Sequence, residues 1–244
     1  MKTRVDFLIA GNQKCGTTTL HQLLSQHPDT RMSEPKEMHF FDERSFDSSE
    51  AAYADYHRRG WGTDRFDDRA VYGESTPKYA CVGGNRRALY LDRIVEYHPD
   101  VKLILLFRDP IERALSQWSM LRRNRDDIPS FTELIDSLLD DDTNTEHRDI
   151  LRRGHYGSIV FNVLARFPSE HCLFITPTDI NEHLEHVCRF IGVGSYDFEP
   201  LHLNVHDDKD PIDPELLARL RDYYRAEIDI FGRLTGTDVR HWLD

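Results

Sequence analysis

AGNQKCGTTTL, Ala10–Leu20, is the stretch on which the fold turns. It follows the apolar run VDFLI (Val5–Ile9) and precedes HQLLSQH (His21–His27), which reads as a helix. The first backbone N–H groups of a helix have no partner inside it, and they sit at the positive end of the helix dipole. A glycine-bearing turn from strand into helix is therefore an anion site. In nucleoside-triphosphate loops the lysine directly follows the second glycine, as G-x-x-x-x-G-K-[ST]. Here Lys14 stands two residues before Gly16, and Thr17, Thr18 and Thr19 follow. The alternative is an ordinary capped strand–helix turn; an anion held here would have its charge met from a different place.

Working outward, VKLILLFRD (Val101–Asp109) and HCLFITP (His171–Pro177) are two further apolar runs of strand length. Each run is followed by helical pattern, at Thr17–Gln26, Ile111–Arg123 and Asp179–Ile191. Strands alternating with helices give βαβ units and a parallel sheet covered on both faces. Ala70–Thr76 offers a further strand, and RRALYLDRIVEYHP a helix stopped by Pro99. The last helix carries Leu216, Leu217, Leu220, Tyr223, Tyr224 and Ile228 at helical spacing, with Asp213 as N-cap and Pro214 in the first turn. The segment Glu43–Arg69 reads as an irregular, aromatic-rich functional loop, and Asp140–Asp142 as a solvated one. The expectation is an α/β fold with a single domain over residues 1–244, a length that supports one good core.

Composition sets limits on function. A net charge of −12 excludes broad nucleic-acid binding, which needs clustered Lys and Arg, but leaves room for a local basic pocket. No apolar run approaches the ~18 residues of a membrane span, and MKTRVDFLIAG does not read as a signal peptide. Cys15, Cys81, Cys172 and Cys188 form no C-x-x-C pair and read as reduced thiols. Together these place the chain in the cytoplasm, as an expectation.

Two more groups of residues carry chemistry. In LLFRDPIERALSQW, Arg108 stands at the carboxyl end of a buried strand, where open α/β sheets bind ligands. Ser116 follows about two turns into the next helix, so the pair can hold a second phosphate. In SEPKEMHFFD, Glu37, His39 and Asp42 are concentrated in one loop, and a carboxylate beside a histidine can serve as a general base. His183 and His186 lie three apart in EHLEH, as metal ligands can, but no third ligand accompanies them and a polar helix face is the better reading.

KCGTTTL, SEPKEMHFFD, GESTPKY and LLFRDPIERALSQW occur in the order and spacing of sulfotransferases. They resemble most the branch containing the heparan sulfate sulfotransferases and their bacterial relatives. RRGHYGSIVFNVLARFP and the C-terminal stretch fit as well, so the resemblance covers nearly the whole chain. It implies the P-loop-like sulfotransferase fold and the donor 3′-phosphoadenosine 5′-phosphosulfate (PAPS), with adenosine 3′,5′-bisphosphate as product and no metal. By resemblance, Lys14, Cys15, Gly16, Thr17, Thr18 and Thr19 wrap the 5′-phosphosulfate, with Cys15 giving its backbone N–H, and Arg108 and Ser116 hold the 3′-phosphate. Lys14 touches the bridging oxygen, Glu37 is the base, His39 orients it, and Asp42 shapes the acceptor site. His155 in RRGHY is the rival base.

The chain also departs from the branch. Where the resemblance implies a lysine in the GESTP motif, this chain has Ser75, with Lys78 three residues on. The basic glycine-containing loop for the 3′-phosphate is replaced by NVHDDKDP, in which Lys209 is the only cation. The acidic charge turns the expected acceptor from a heparan-like polymer toward a small metabolite, a lipid head group or a saccharide. Two other functions share the anion loop: a P-loop nucleotide kinase or phosphotransferase, and a non-catalytic nucleotide-binding protein. The position of Lys14 weighs against the first, and the presence of Glu37 and His39 against the second.

Overall fold

The computed structural model describes residues 2–81, 88–141, 147–201 and 212–244. Five parallel strands form one sheet: β1 (Phe7–Gly11), β2 (Thr30–Met32), β3 (Val71–Ser75), β4 (Lys102–Leu106) and β5 (Cys172–Ile175). Their order is β2-β3-β1-β4-β5. Phe7 lies opposite both Gly73 and Lys102, and Leu103 lies opposite Cys172. The chain runs to one side of β1 for β2 and β3 and to the other for β4 and β5. The loop leaving β1 therefore sits at the topological switch point, where sheets of this kind bind ligands.

Both faces of the sheet are buried, as continuous apolar strands require. Leu8, Ala10, Leu103 and Leu105 enter the larger core layer, while Phe7, Ile9, Ile104 and Leu106 enter the smaller one. The alternation along β1 and β4 reflects the two-residue period of a strand. The three strands expected from apolar runs are present with shorter bounds, and Ala70–Thr76 supplies β3.

The helices are α1 (Thr17–Leu24), α2 (Glu50–Trp61), α3 (Leu89–Tyr97), α4 (Pro110–Asn124), α5 (Phe131–Asp140), α6 (Asp149–Arg152), α7 (Tyr156–Leu164), α8 (Leu184–Ile191) and α9 (Pro214–Thr235). Polar caps fix several starts. Asp109 accepts from Ile111 N and Glu112 N at 2.7 and 3.2 Å, ahead of Pro110. Asp213 does the same for Glu215 N and Leu216 N, ahead of Pro214. Ser130 and Glu133 form a reciprocal capping box on α5.

Three expectations are corrected. Glu43–Arg69 is not an irregular loop, because it contains α2, capped by Ser49. Its aromatics are structural: Tyr56 stacks on Phe40 at 4.5 Å, and Phe66 on Tyr72 at 4.2 Å. Asp140 ends α5 instead of lying in a loop. The helix expected from Asp179 begins as a 3-10 turn, Ile180–His183, and becomes α8 at Leu184. No helix among the described residues is long and apolar enough to cross a membrane.

Candidate active site

The loop from β1 into α1 is built by two left-handed residues, Lys14 (φ 69°) and Gly16 (φ 94°). Gly16 is the N-cap of α1 and has no side chain to offer it, so the opening turn at Thr17–Thr19 keeps its N–H groups for another acceptor. The base of the loop is tied down: Asn12 donates from N and Nδ2 to Leu106 O at 3.1 and 3.0 Å. Cys15 N donates to Asn12 O at 3.2 Å, so this N–H serves the loop itself. The Cys15 thiol is buried, 3.8 Å from Tyr156 Oη, and burial pushes its pKa up, which makes it a packed thiol and not a reactive one.

Lys14 is half-buried, and no side-chain partner accompanies it among the described residues. Burial, then the positive charges of Arg123 and Arg108, hold its ammonium below its ordinary value. Three cations thus act on one loop at a helix N-terminus. An anion seated there relieves their mutual repulsion. Arg108 sits just beyond β4, with Nη2 3.8 Å from Glu112 Oε2, and its buried Nε has no hydrogen-bond partner among the described residues. Glu112, Ser116 and Arg123 fall on one stripe of α4 at helical spacing, so half-buried Ser116 faces the side on which Arg123 acts on Lys14. Arg123 escaped the sequence reading, although its place seven residues after Ser116 was a usable signal.

The second component is the loop after β2. Lys36 Nζ lies 2.6 Å from Glu37 Oε1, and His39 Nε2 lies 3.4 Å from Glu37 Oε2. The other ring nitrogen of His39 is 3.0 Å from Asp42 Oδ1, and Lys78 Nζ is 2.6 Å from Asp42 Oδ2. Glu37 and His39 are 41% and 47% exposed at their side chains, open to a substrate, whereas Asp42 is 4% exposed and anchors the chain from below. His21 on α1 connects this loop to the first one. Its pKa falls to about 4, by burial first and then through the charge of Lys36, with Glu37 opposing. The helix whose N-terminus forms the anion loop therefore also lies within reach of the charges of Lys36 and Glu37.

The remaining expected residues separate. Thr17 and Thr19 are buried and Thr18 half-buried in the first turn of α1. Lys209 lies outside the described residues. His155 turns to α9, with Nε2 2.8 Å from Tyr223 Oη, and does not join the Glu37 group. Ser75 is fully buried and its Oγ has no hydrogen-bond partner among the described residues, while Lys78 is drawn into the base loop through Asp42. His183 closes the 3-10 turn and His186 is exposed on α8.

A family model described as "Sulfotransferase family" matches residues 6–194. The chain belongs to the sulfotransferase family. Human heparan sulfate glucosamine 3-O-sulfotransferase 3B1 is 29% identical over 95% of this chain and 63% of its own length. Mouse heparan sulfate glucosamine 3-O-sulfotransferase 6 is 35% identical over 69% of this chain and 45% of its own. The chain thus spans less than two thirds of the length of these curated sulfotransferases. A solved sulfotransferase from Alicyclobacillus acidocaldarius shares the fold over 100% of both chains, at 24% identity and a TM-score of 0.79. A sulfotransferase from Mycobacterium avium matches 98% of this chain and 78% of its own, with a TM-score of 0.53 and 13% identity.

Proposed function

We infer that this chain, taken as one unit over residues 1–244, is an enzyme that moves the sulfuryl group from PAPS to a hydroxyl or amine of a saccharide or other small acceptor. The observation that carries this reading is the meeting of two loops on α1, one cationic with free helix N–H groups and one holding an exposed, doubly braced carboxylate. Lys14, with the N–H groups of Thr17, Thr18 and Thr19, meets the 5′-phosphosulfate. Arg108 and Ser116 meet the 3′-phosphate. The acceptor oxygen attacks sulfur in line, the bond from sulfur to the bridging oxygen breaks, and Lys14 offsets the charge that develops there. Glu37 takes the acceptor proton, with its two oxygens fixed by Lys36 and His39. The names of the curated relatives favour a saccharide hydroxyl as acceptor. Four unpaired thiols fit a reducing, cytoplasmic setting.

The test is turnover at saturating PAPS for Glu37→Gln, His39→Ala and His155→Ala, read as release of adenosine 3′,5′-bisphosphate with a panel of glucosaminide, lipid-headgroup and phenolic acceptors. Glu37→Gln is expected to lose about 10²–10⁴-fold, His39→Ala less, and His155→Ala least. A nearly active Glu37→Gln beside a dead histidine variant would move the base to that histidine.

A further inference from the structure

Glu74 is a carboxyl group in the wrong place for a surface ion. It is the penultimate residue of β3, opposite Leu8 of β1, and is fully buried in the larger apolar layer. A buried carboxyl is costly unless its oxygens are satisfied. Among the described residues, the hydrogen-bond donors that reach it are uncharged. Thr76 Oγ1 donates to Oε1, Met38 N donates to the same oxygen at 3.4 Å, and Tyr56 Oη donates to Oε2 at 3.1 Å.

Two of these partners belong to the base loop or hold it. Thr76 Oγ1, while donating to Glu74, accepts from His39 N at 3.3 Å. The amides of Met38 and His39 are thus pinned in succession, one by Glu74 and the other by Thr76. Directly after the second pinned amide His39 takes φ 55°, a left-handed conformation uncommon for a residue with a side chain. That conformation sends the His39 ring between Glu37 and Asp42.

We propose that Glu74 and Thr76 are positioning residues for the reaction: they clamp the Met38–His39 backbone and thereby set the imidazole that braces Glu37. The proposal rests on Glu37 as the base. It gives the GEST motif a role beyond strand formation, because its carboxylate and second hydroxyl reach across to the catalytic loop from β3.

Thr76→Val removes the hydroxyl while keeping the side-chain shape, and Thr76→Ser restores it. With PAPS and a glucosaminide oligosaccharide as acceptor probe, Thr76→Val is expected to lower kcat by about 10- to 100-fold, the cost of a misplaced catalytic group. The dissociation constant for adenosine 3′,5′-bisphosphate should stay at the wild-type value, and Thr76→Ser should recover most of the rate. Wild-type kcat in Thr76→Val overturns the proposal. So does a parallel loss of nucleotide affinity that Thr76→Ser fails to repair, since that marks general loosening. Glu37→Gln measured alongside separates the two readings: if it stays active, the base assignment has failed. The clamp is then judged by amide hydrogen exchange at Met38 and His39, which needs no acceptor. Faster exchange in Thr76→Val supports the clamp and unchanged exchange refutes it. Should Thr76→Val not fold, Thr76→Ala serves the same comparisons.

Discussion

Lys14 and Arg108 act on the same loop but in different ways. Lys14 is half-buried among like charges, so in the proposed reaction its ammonium would gain most when charge develops on the leaving oxygen. Lys14→Ala should lower kcat by about 10²–10³-fold, the usual loss for one preorganised donor. Arg108 is already engaged by Glu112, with Nη2 3.8 Å from its Oε2. Arg108→Ala should therefore weaken nucleotide binding and leave kcat at saturating donor close to wild type. Initial-rate kinetics separate the two effects as kcat against KM, and equal effects of both kinds for both residues would contradict the division. Lys14 and Glu37 could be read from sequence because each lies in a short local motif. Glu74 could not, because its role depends on which loop the folded chain lays against it, and Arg123 offered only its helical spacing from Ser116.

At the scale of elements, Gly73 shows how tightly β1 and β3 are matched. A Cβ on Gly73 would lie 2.1 Å from Cζ of Phe7, which is fully buried opposite it. Gly73→Ala must displace that ring, and forced repacking of this kind costs about 1–3 kcal/mol. Its urea midpoint should fall accordingly, and Phe7→Leu in the same chain should recover part of the loss. An unchanged midpoint would mean that the ring yields freely. The long apolar strands were legible because burial on both faces leaves an unbroken apolar run. β2, with three residues, is too short for such a signal. α2 was missed for another reason: its buried stripe is Tyr53, Tyr56, His57 and Gly60, a helical spacing in which two members are not apolar. His57 is buried by pairing with Tyr97 Oη at 2.6 Å, a partner that no local pattern reveals.

Over the whole molecule, these buried groups shape the response to pH. Burial raises Glu74 from 4.5 to about 7, with hydrogen bonds from Thr76, Tyr56, Tyr79 and the Met38 amide opposing the rise. Below pH 4.5 the carboxyl is protonated both folded and unfolded, and it costs nothing. As pH rises toward 7 the unfolded chain ionises first, so the folded state loses on the order of 3 kcal/mol at most. Glu74→Gln removes that titration, and its amide can still accept at Oε1 while Tyr56 turns to accept from the nitrogen. The stability of Glu74→Gln relative to wild type should therefore climb from pH 4.5 to about 7 and then level off. A difference independent of pH would contradict the burial argument. His57 works from the other side: burial lowers it from 6.5 to about 4, so its contribution is present above pH 6.5 and is lost as the pH falls toward 4.

The central claim is that the loop at Lys14 and the arginine at the end of β4 together hold a 3′-phosphorylated adenosine phosphosulfate, and it has a direct test in ligand-dependent melting. A ligand that binds only the folded chain raises the melting temperature in proportion to the logarithm of its concentration over Kd. PAPS and adenosine 3′,5′-bisphosphate, each without Mg²⁺, should raise it strongly. ATP with Mg²⁺ at the same concentration should raise it much less, because nothing on ATP meets Arg108 and Ser116 as a 3′-phosphate does. Loss of the PAPS shift in Arg108→Ala would locate the effect. Equal stabilisation by ATP and PAPS, or a PAPS shift untouched by Arg108→Ala, would contradict the account.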